Sequence, residues 1–304
     1  YALYIGGIGV VVSAWMEWFA SFFDSRIRGT VMGITWFASA CMGTFGGLIA
    51  GWMISYYHHD AFFILYFSAG IVAVFSITCF AFVKDPAAEG EAEAKKIGIM
   101  IILAKFRESM RDLNFRSFLV GRIMASLGFC VIPFFAVYFQ SESGGSLSGA
   151  AIVACGSATT FGAALANLIL GRMGDRHGHR IGIIIGTVMQ VATMLVIICG
   201  YGVISCVLAY FCTGICMGSS FLSHTNILLE TCPHDHRIAH ITVGNLALSL
   251  PMLFAPFVAG LAVESWGLNV VFTICLFINV MAVLWMLFMV KEPRCVEISR
   301  IAAS

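Results

Sequence analysis

Gly171-Arg172-Met173-Gly174-Asp175-Arg176-His177-Gly178-His179-Arg180 is a short charged segment set between two long apolar runs. Its three glycines permit a sharp reversal of the chain. The run before it, residues 147–171, and the run after it, residues 180–200, are each long enough for a membrane-spanning helix, which needs about 20 mostly apolar residues. The segment therefore reads as a tight connection at a membrane surface. Everything outward from it repeats that arrangement.

Nine apolar segments qualify as spans, near 1–23, 29–56, 61–83, 116–140, 147–171, 180–200, 202–229, 239–263 and 268–290. Several contain Gly46-Gly47, Pro133, Pro251 or Pro256. Such residues weaken soluble helices but are commoner in membrane helices, where small side chains let backbones approach.

Charge placement sets the orientation. Of 17 Lys and Arg residues, all but Arg122 fall on every second connection, and the alternate connections carry none. Basic residues near span ends resist translocation, so the basic side is cytoplasmic and the first span enters from outside. Sixty per cent of residues are apolar and 11% are charged; a soluble domain carries about a quarter charged. The net charge of +1 is segregated by side, so it marks no nucleic-acid partner; the lipid bilayer is the expected one. The 11 Cys lie mostly within apolar runs and form no Cys-x-x-Cys pair, as expected of small packing residues. No signal peptide is legible.

Residues 84–115 are the only sizeable polar connection. Asp85 to Glu91 reads as an acidic linker, and Ile97 onward as an amphipathic helix at the cytoplasmic interface. The chain then divides into 1–83, the three-span second half of an N-terminal bundle; 84–115, the linker; 116–291, a six-span C-terminal bundle; and 292–304, a cytoplasmic tail.

An internal repeat supports that division. A shift of 209 positions carries Arg28 onto Arg237, Gly9 onto Gly218, Gly51 onto Gly260, Phe63 onto Phe272 and Tyr1 onto Tyr210. Two related bundles around a central site are a common plan for secondary transporters. The same shift predicts three further spans ahead of Tyr1, in roughly 90 to 100 residues.

The segment 171–180 resembles the Gly-x-x-x-Asp-Arg-x-Gly-x-Arg/Lys signature of the major facilitator superfamily, at the position of its second copy, between family spans eight and nine. Asp24-Ser25-Arg26-Ile27-Arg28-Gly29, Asn114-Phe115-Arg116-Ser117-Phe118-Leu119, Leu228-Leu229-Glu230-Thr231-Cys232-Pro233 and Lys291-Glu292-Pro293-Arg294 resemble a widespread bacterial branch. The resemblance implies an all-α membrane protein with two helix bundles, of whose twelve spans nine are expected here. It implies a multi-pass protein of the plasma membrane, in bacteria the inner membrane, with a cytoplasmic C-terminus. It also implies a secondary transporter, symporter or antiporter, in which two bundles rock about a small solute bound near the membrane midplane.

Ionisable and polar groups inside spans are the candidate solute ligands, because each is costly there. Glu17 and Arg122 are the ionisable ones, together with His224. Trp36, Thr160, Asn167, Ser220, Asn226 and Asn245 are the polar or aromatic ones. Interfacial ion pairing for Glu17, snorkelling for Arg122 and helix-to-helix hydrogen bonds for the rest are the competing readings. The signature residues Gly171, Gly174, Asp175, Arg176, Gly178 and Arg180 form a candidate cytoplasmic gate with Glu230 and Arg237 on the next connection. Asp175 is also placed to cap the second span near Gly29. His177, His179, His234, His236 and His240 match no zinc spacing and are expected to be solvated. Neither metal nor cofactor is implied, and a monomer is expected. Coupling to protons or another ion stays open.

Two other functions compete. A membrane-embedded enzyme would need converging acid, base or metal-ligating groups, and no His-Glu-x-x-His occurs. A transporter-derived sensor would share every feature above.

Overall fold

A computed structural model describes residues 15, 18–19, 22–24, 26–57, 59–82, 110–231 and 237–292. The first span up to residue 14, Glu17, most of the linker and the tail from 293 lie outside the described residues, as do the side chains of 237–240.

Nine α-helices are described: α1 Arg28–Tyr57, α2 His59–Ala81, α3 Leu113–Leu127, α4 Phe134–Gln140, α5 Gly149–His177, α6 Arg180–Cys199, α7 Gly202–Thr231, α8 Arg237–Trp266 and α9 Leu268–Met289. No strand is present among the described residues. Among the described residues, five stretches, Ala154–His177, Arg180–Cys199, Gly202–Thr231, Gly244–Trp266 and Leu268–Met289, are long and apolar enough to cross a membrane. Each overlaps an expected span, with ends that differ by up to seven residues.

The segment expected as one span over 116–140 is instead two helices. α3 begins at Leu113, where the Asp112 carboxylate accepts from the backbone N–H of Asn114 and Phe115 at 2.8 and 3.1 Å. It stops at Leu127, and α4 starts after Pro133. Proline has no N–H, and its ring clashes with the carbonyl four residues back; α8 continues through Pro251 and Pro256, whereas the turn ahead of Pro133 is a full interruption. The backbone freed at this break is served from α9: the Asn279 side chain donates to the Gly128 carbonyl at 3.0 Å.

The charged connection is also shorter than expected. Helix α5 runs to His177, so Gly171 to Arg176 are helical rather than looped. The reversal is confined to Gly178, at φ +91°, and His179. Only glycine adopts that conformation without strain.

The described residues fall into two compact units, one within Tyr1–Phe37 and Ile97–Ser304, the other within Ala38–Lys96. In the first unit, α5 to α7, α6 to α7, α9 to α6 and α9 to α3 are the main helix pairs. Its core has two apolar ends. One end holds Phe115, Phe118, Ile183, Leu228, Ile241 and Met286; the other holds Val131, Phe135, Met194, Cys206, Ala259 and Phe272. Along each helix, the stretch between the two clusters carries polar residues. Arg122 on α3, Gln190 on α6, Ser220 and His224 on α7, Asn245 on α8 and Asn279 on α9 all lie at that intermediate level. In the second unit, the described large apolar side chains of α2, such as Phe63, Tyr66, Phe75 and Ile77, are exposed, as suits helices whose solvent is lipid.

Candidate functional site

Helix α7 supplies the axis of the intermediate layer. Cys216, Ser220 and His224 recur every fourth residue and so share one face. Ser220 Oγ lies 3.8 Å from Cys216 Sγ. Ser219 and Ser223 occupy the adjoining face, which packs on α6 at Gly186 and Gly182. A Cβ on Gly186 would come within 2.9 Å of Ser220 Oγ. These two glycines therefore let the hydroxyl-bearing face of α7 lie directly on α6.

Around that face stand Arg122, Gln190 and Asn245. Arg122 lies close to both Cys216 and His224. The Gln190 amide lies beside Cys216. The Asn245 side chain lies near the His224 imidazole without completing a hydrogen bond to it. The imidazole stacks on Phe118, with centroids 5.6 Å apart and planes 19° apart. Buried polar atoms normally find a partner, yet Arg122 Nε, Gln190 Oε1, Ser223 Oγ and both ring nitrogens of His224 have none among the described residues. His224 is 7% and Gln190 4% exposed. The layer is built of polar groups that the described residues leave unsatisfied.

At the end of the bundle that carries Asp175, the contacts are of the opposite kind. The Asp175 carboxylate accepts from the backbone N–H of Gly29 at 2.8 Å and of Thr30 at 2.5 Å. It thus places an anion on the N-terminus of α1, where unpaired N–H groups and the helix dipole favour one. Contact at that distance needs glycine on both helices. A Cβ on Gly171 would come within 2.5 Å of the Gly29 carbonyl, and one on Gly33 would overlap the carbonyl of Asn167.

Arg180 does not turn toward Glu230, as the charge pattern suggested. Its guanidinium donates to the carbonyls of Met286 and Leu287 at 3.2 and 2.6 Å, closing the C-terminus of α9 with a cation. Its backbone N–H donates to Glu292 at 3.0 Å. The signature thus ties together the ends of α1, α6 and α9. The expectation of a solvated His179 is also corrected: it is fully buried, with Nε2 3.6 Å from Asp175 and 3.9 Å from Glu230. The short reversal at Gly178 folds it back over Gly174, which has no side chain to exclude it.

The family model for the Major Facilitator Superfamily matches residues 118–300. The chain belongs to the major facilitator superfamily. No curated protein matches it. Membership makes it a multi-pass membrane transporter, a class that binds small solutes and sits in a lipid bilayer.

In this superfamily member, the other expected ligands are placed as follows. Trp36 on α1 meets Phe221 edge-on, with centroids 4.9 Å apart. Asn226 is satisfied within the protein, donating to the Leu222 carbonyl at 2.9 Å and touching Met32 Sδ at 3.4 Å. Asn167 is buried at the α1–α5 crossing. Thr160 is half-buried on α5 and is hydrogen-bonded to none of the layer residues. Arg176 is exposed on the last turn of α5. Glu17 and the side chain of Arg237 lie outside the described residues. Among the described residues, no group of three or more His, Cys, Asp and Glu could hold a metal ion.

Sequence reasoning missed Gln190, Asn279 and Glu292. The first two were detectable as lone amides inside strongly apolar runs, where an unpaired amide is costly. Glu292 carried no such signal, because it follows the last span.

Proposed function

We propose that the protein is a secondary transporter that moves a small solute across the membrane by alternating access. One observation carries this reading. A layer of polar groups that the described residues leave unsatisfied, Arg122, Gln190 and His224, lies between two apolar ends of one helix bundle. Leaving such groups unpaired in a low-dielectric interior is expensive, and a bound polar solute would supply the missing partners. The helix-end contacts of Asp175 and Arg180 serve as the closure of one side. Residues 1–83 and 116–291 act in this reading as parts of two bundles, joined by the linker 84–115, that rock about the layer.

The test is transport itself. The full-length gene product, purified into proteoliposomes, is given a labelled panel of sugars, amino acids, organic acids, organic cations and amphiphilic drugs. The expected result is saturable, protein-dependent uptake of one class, with counterflow when that solute is preloaded. Counterflow separates a carrier from a channel, because it needs a site that returns loaded. Absence of protein-dependent flux across the whole panel overturns the proposal and favours a sensor.

A further inference from the structure

We infer that Arg122, Gln190 and His224 form a site for the carboxylate of a small monoanionic organic acid. The inference rests on the transporter reading and names its substrate class. The starting observation is a charge without a counter-charge. Arg122 sits on α3 between the two apolar clusters, half-buried, with its Nε sealed and unpartnered. Among the described residues no carboxylate pairs with it. A guanidinium stays protonated in proteins, so its charge cannot be relieved by losing a proton. A buried charge is tolerated when it is paired and hydrogen-bonded. Here the described residues supply neither, and an anion entering the layer would supply both.

The neighbouring groups narrow the class. A guanidinium presents a planar fork that matches a carboxylate or a phosphate in a two-point contact. The layer holds one permanent positive charge, so a single negative charge is balanced, whereas a phosphate monoester or dicarboxylate leaves an excess anion in an apolar bundle. Gln190 Oε1 is a free acceptor, and the imidazole of His224, neutral or not, offers at least one N–H donor. These suit a hydroxyl or carbonyl beside the carboxylate. Phe118, stacked on His224, gives an apolar flank for the body of the acid. A small hydroxy or aromatic monocarboxylate fits all four features. A sugar does not use the charge, and an organic cation is repelled by it.

The experiment compares lactate and benzoate with succinate, phosphate, glucose and choline as labelled solutes in proteoliposomes of the full-length gene product. Saturable uptake of a monocarboxylate is expected, and the same acid should raise the thermal unfolding temperature of the detergent-solubilised protein. Arg122→Gln should raise the half-saturating concentration at least tenfold, and Arg122→Lys by less. Gln190→Ala, which keeps the charge, should raise it severalfold, and it carries the test if Arg122→Gln fails to fold. Uptake of glucose or choline that survives Arg122→Gln overturns the anion assignment while transport stands. Preference for succinate or phosphate over both monocarboxylates overturns the single-charge argument. No movement of any of the six overturns the substrate class alone; only the wider panel above decides transport.

Discussion

Asn279 of α9 donates its side-chain N–H to the carbonyl oxygen of Gly128 at 3.0 Å, in a fully buried contact between two elements 151 residues apart in sequence. Gly128 ends α3, so its carbonyl has lost the helical partner that an unbroken span would give it. Non-helical backbone at membrane depth is tolerated where protein satisfies it. Asn279 is the residue that makes the interruption between α3 and α4 affordable.

Replacing Asn279 with Leu keeps the volume and removes the donor. A buried acceptor left unpaired costs about 1–3 kcal/mol. The expected value lies toward the lower end, because Asn279 Oδ1, itself unpartnered, is removed at the same time. Thermal unfolding of the purified protein in detergent should shift downward by several degrees. An unchanged midpoint would mean that the Gly128 carbonyl finds another donor.

The α1–α5 crossing is open to an equally simple change. A methyl group at Gly33 would overlap the Asn167 backbone carbonyl, whereas one at Gly43 meets nothing within 4 Å. Overpacking of this kind costs about 1–3 kcal/mol, while Gly→Ala inside an open helix is worth up to about 1 kcal/mol in the other direction. Gly33→Ala should therefore lower thermal stability and uptake, and Gly43→Ala should lower neither. Equal behaviour of the two variants would show that the crossing is not tightly held.

These contacts show where sequence reading succeeded and where it stopped. The five membrane-length helices among the described residues were legible because apolar runs of about twenty residues leave few alternatives in a bilayer. The cap from Asp175 to the start of α1 was legible because an acid and a glycine faced each other across two connections. The break at Gly128–Pro133 was signalled by Pro133, but proline in a membrane span is compatible with either a kink or a full interruption. Only the partner on α9 decides between them. The burial of His179 was illegible for a similar reason. Its environment comes from Gly174, Asp175 and Glu230 together, and no local pattern announces that convergence. Gln190 was visible as a lone amide, yet its company with Arg122 and His224 depends on how α3, α6 and α7 rotate about their axes.

Orientation is the third test. The distribution of Lys and Arg predicts that the linker, the 232–236 connection and the tail lie in the cytoplasm. Single cysteines at Ala92, His234 and Ser299, in a cysteine-free background, should react with an impermeant thiol reagent only from the inside. On the other face, Ser143 and Glu264 are exposed and suited to labelling. The neighbouring Gly144 is buried, and a side chain there would strike the Tyr138 carbonyl. Labelling of Ser143 from the same side as Ala92 would overturn the threading and, with it, the assignment of the Asp175 end as cytoplasmic.

The last test concerns closure. The Asp175 carboxylate holds two backbone N–H groups at the start of α1 and lies 3.6 Å from the buried His179. Asp175→Asn keeps the shape and one carbonyl acceptor but removes the charge. Removing the negative charge from a helix N-terminus costs about 0.3–2 kcal/mol, the upper part where the group is buried. In an equilibrium between closed and open forms, 1.4 kcal/mol is a tenfold change, so the open form should gain by roughly two- to thirtyfold. A reporter must lie where α1 leaves the bundle. Ser223 is unsuitable because it is packed under Gly182 inside the α6–α7 seam. Met32, 1% exposed and in contact with Asn226 across the α1–α7 seam, is suitable as Met32→Cys. Adding Asp175→Asn should speed its labelling from the cytoplasmic side and lower uptake, with the amount of protein in the membrane unchanged. Unaltered labelling and normal uptake would leave Asp175 as a structural cap that takes no part in opening. Faster labelling with normal uptake would show that closure of this side does not limit the transport cycle.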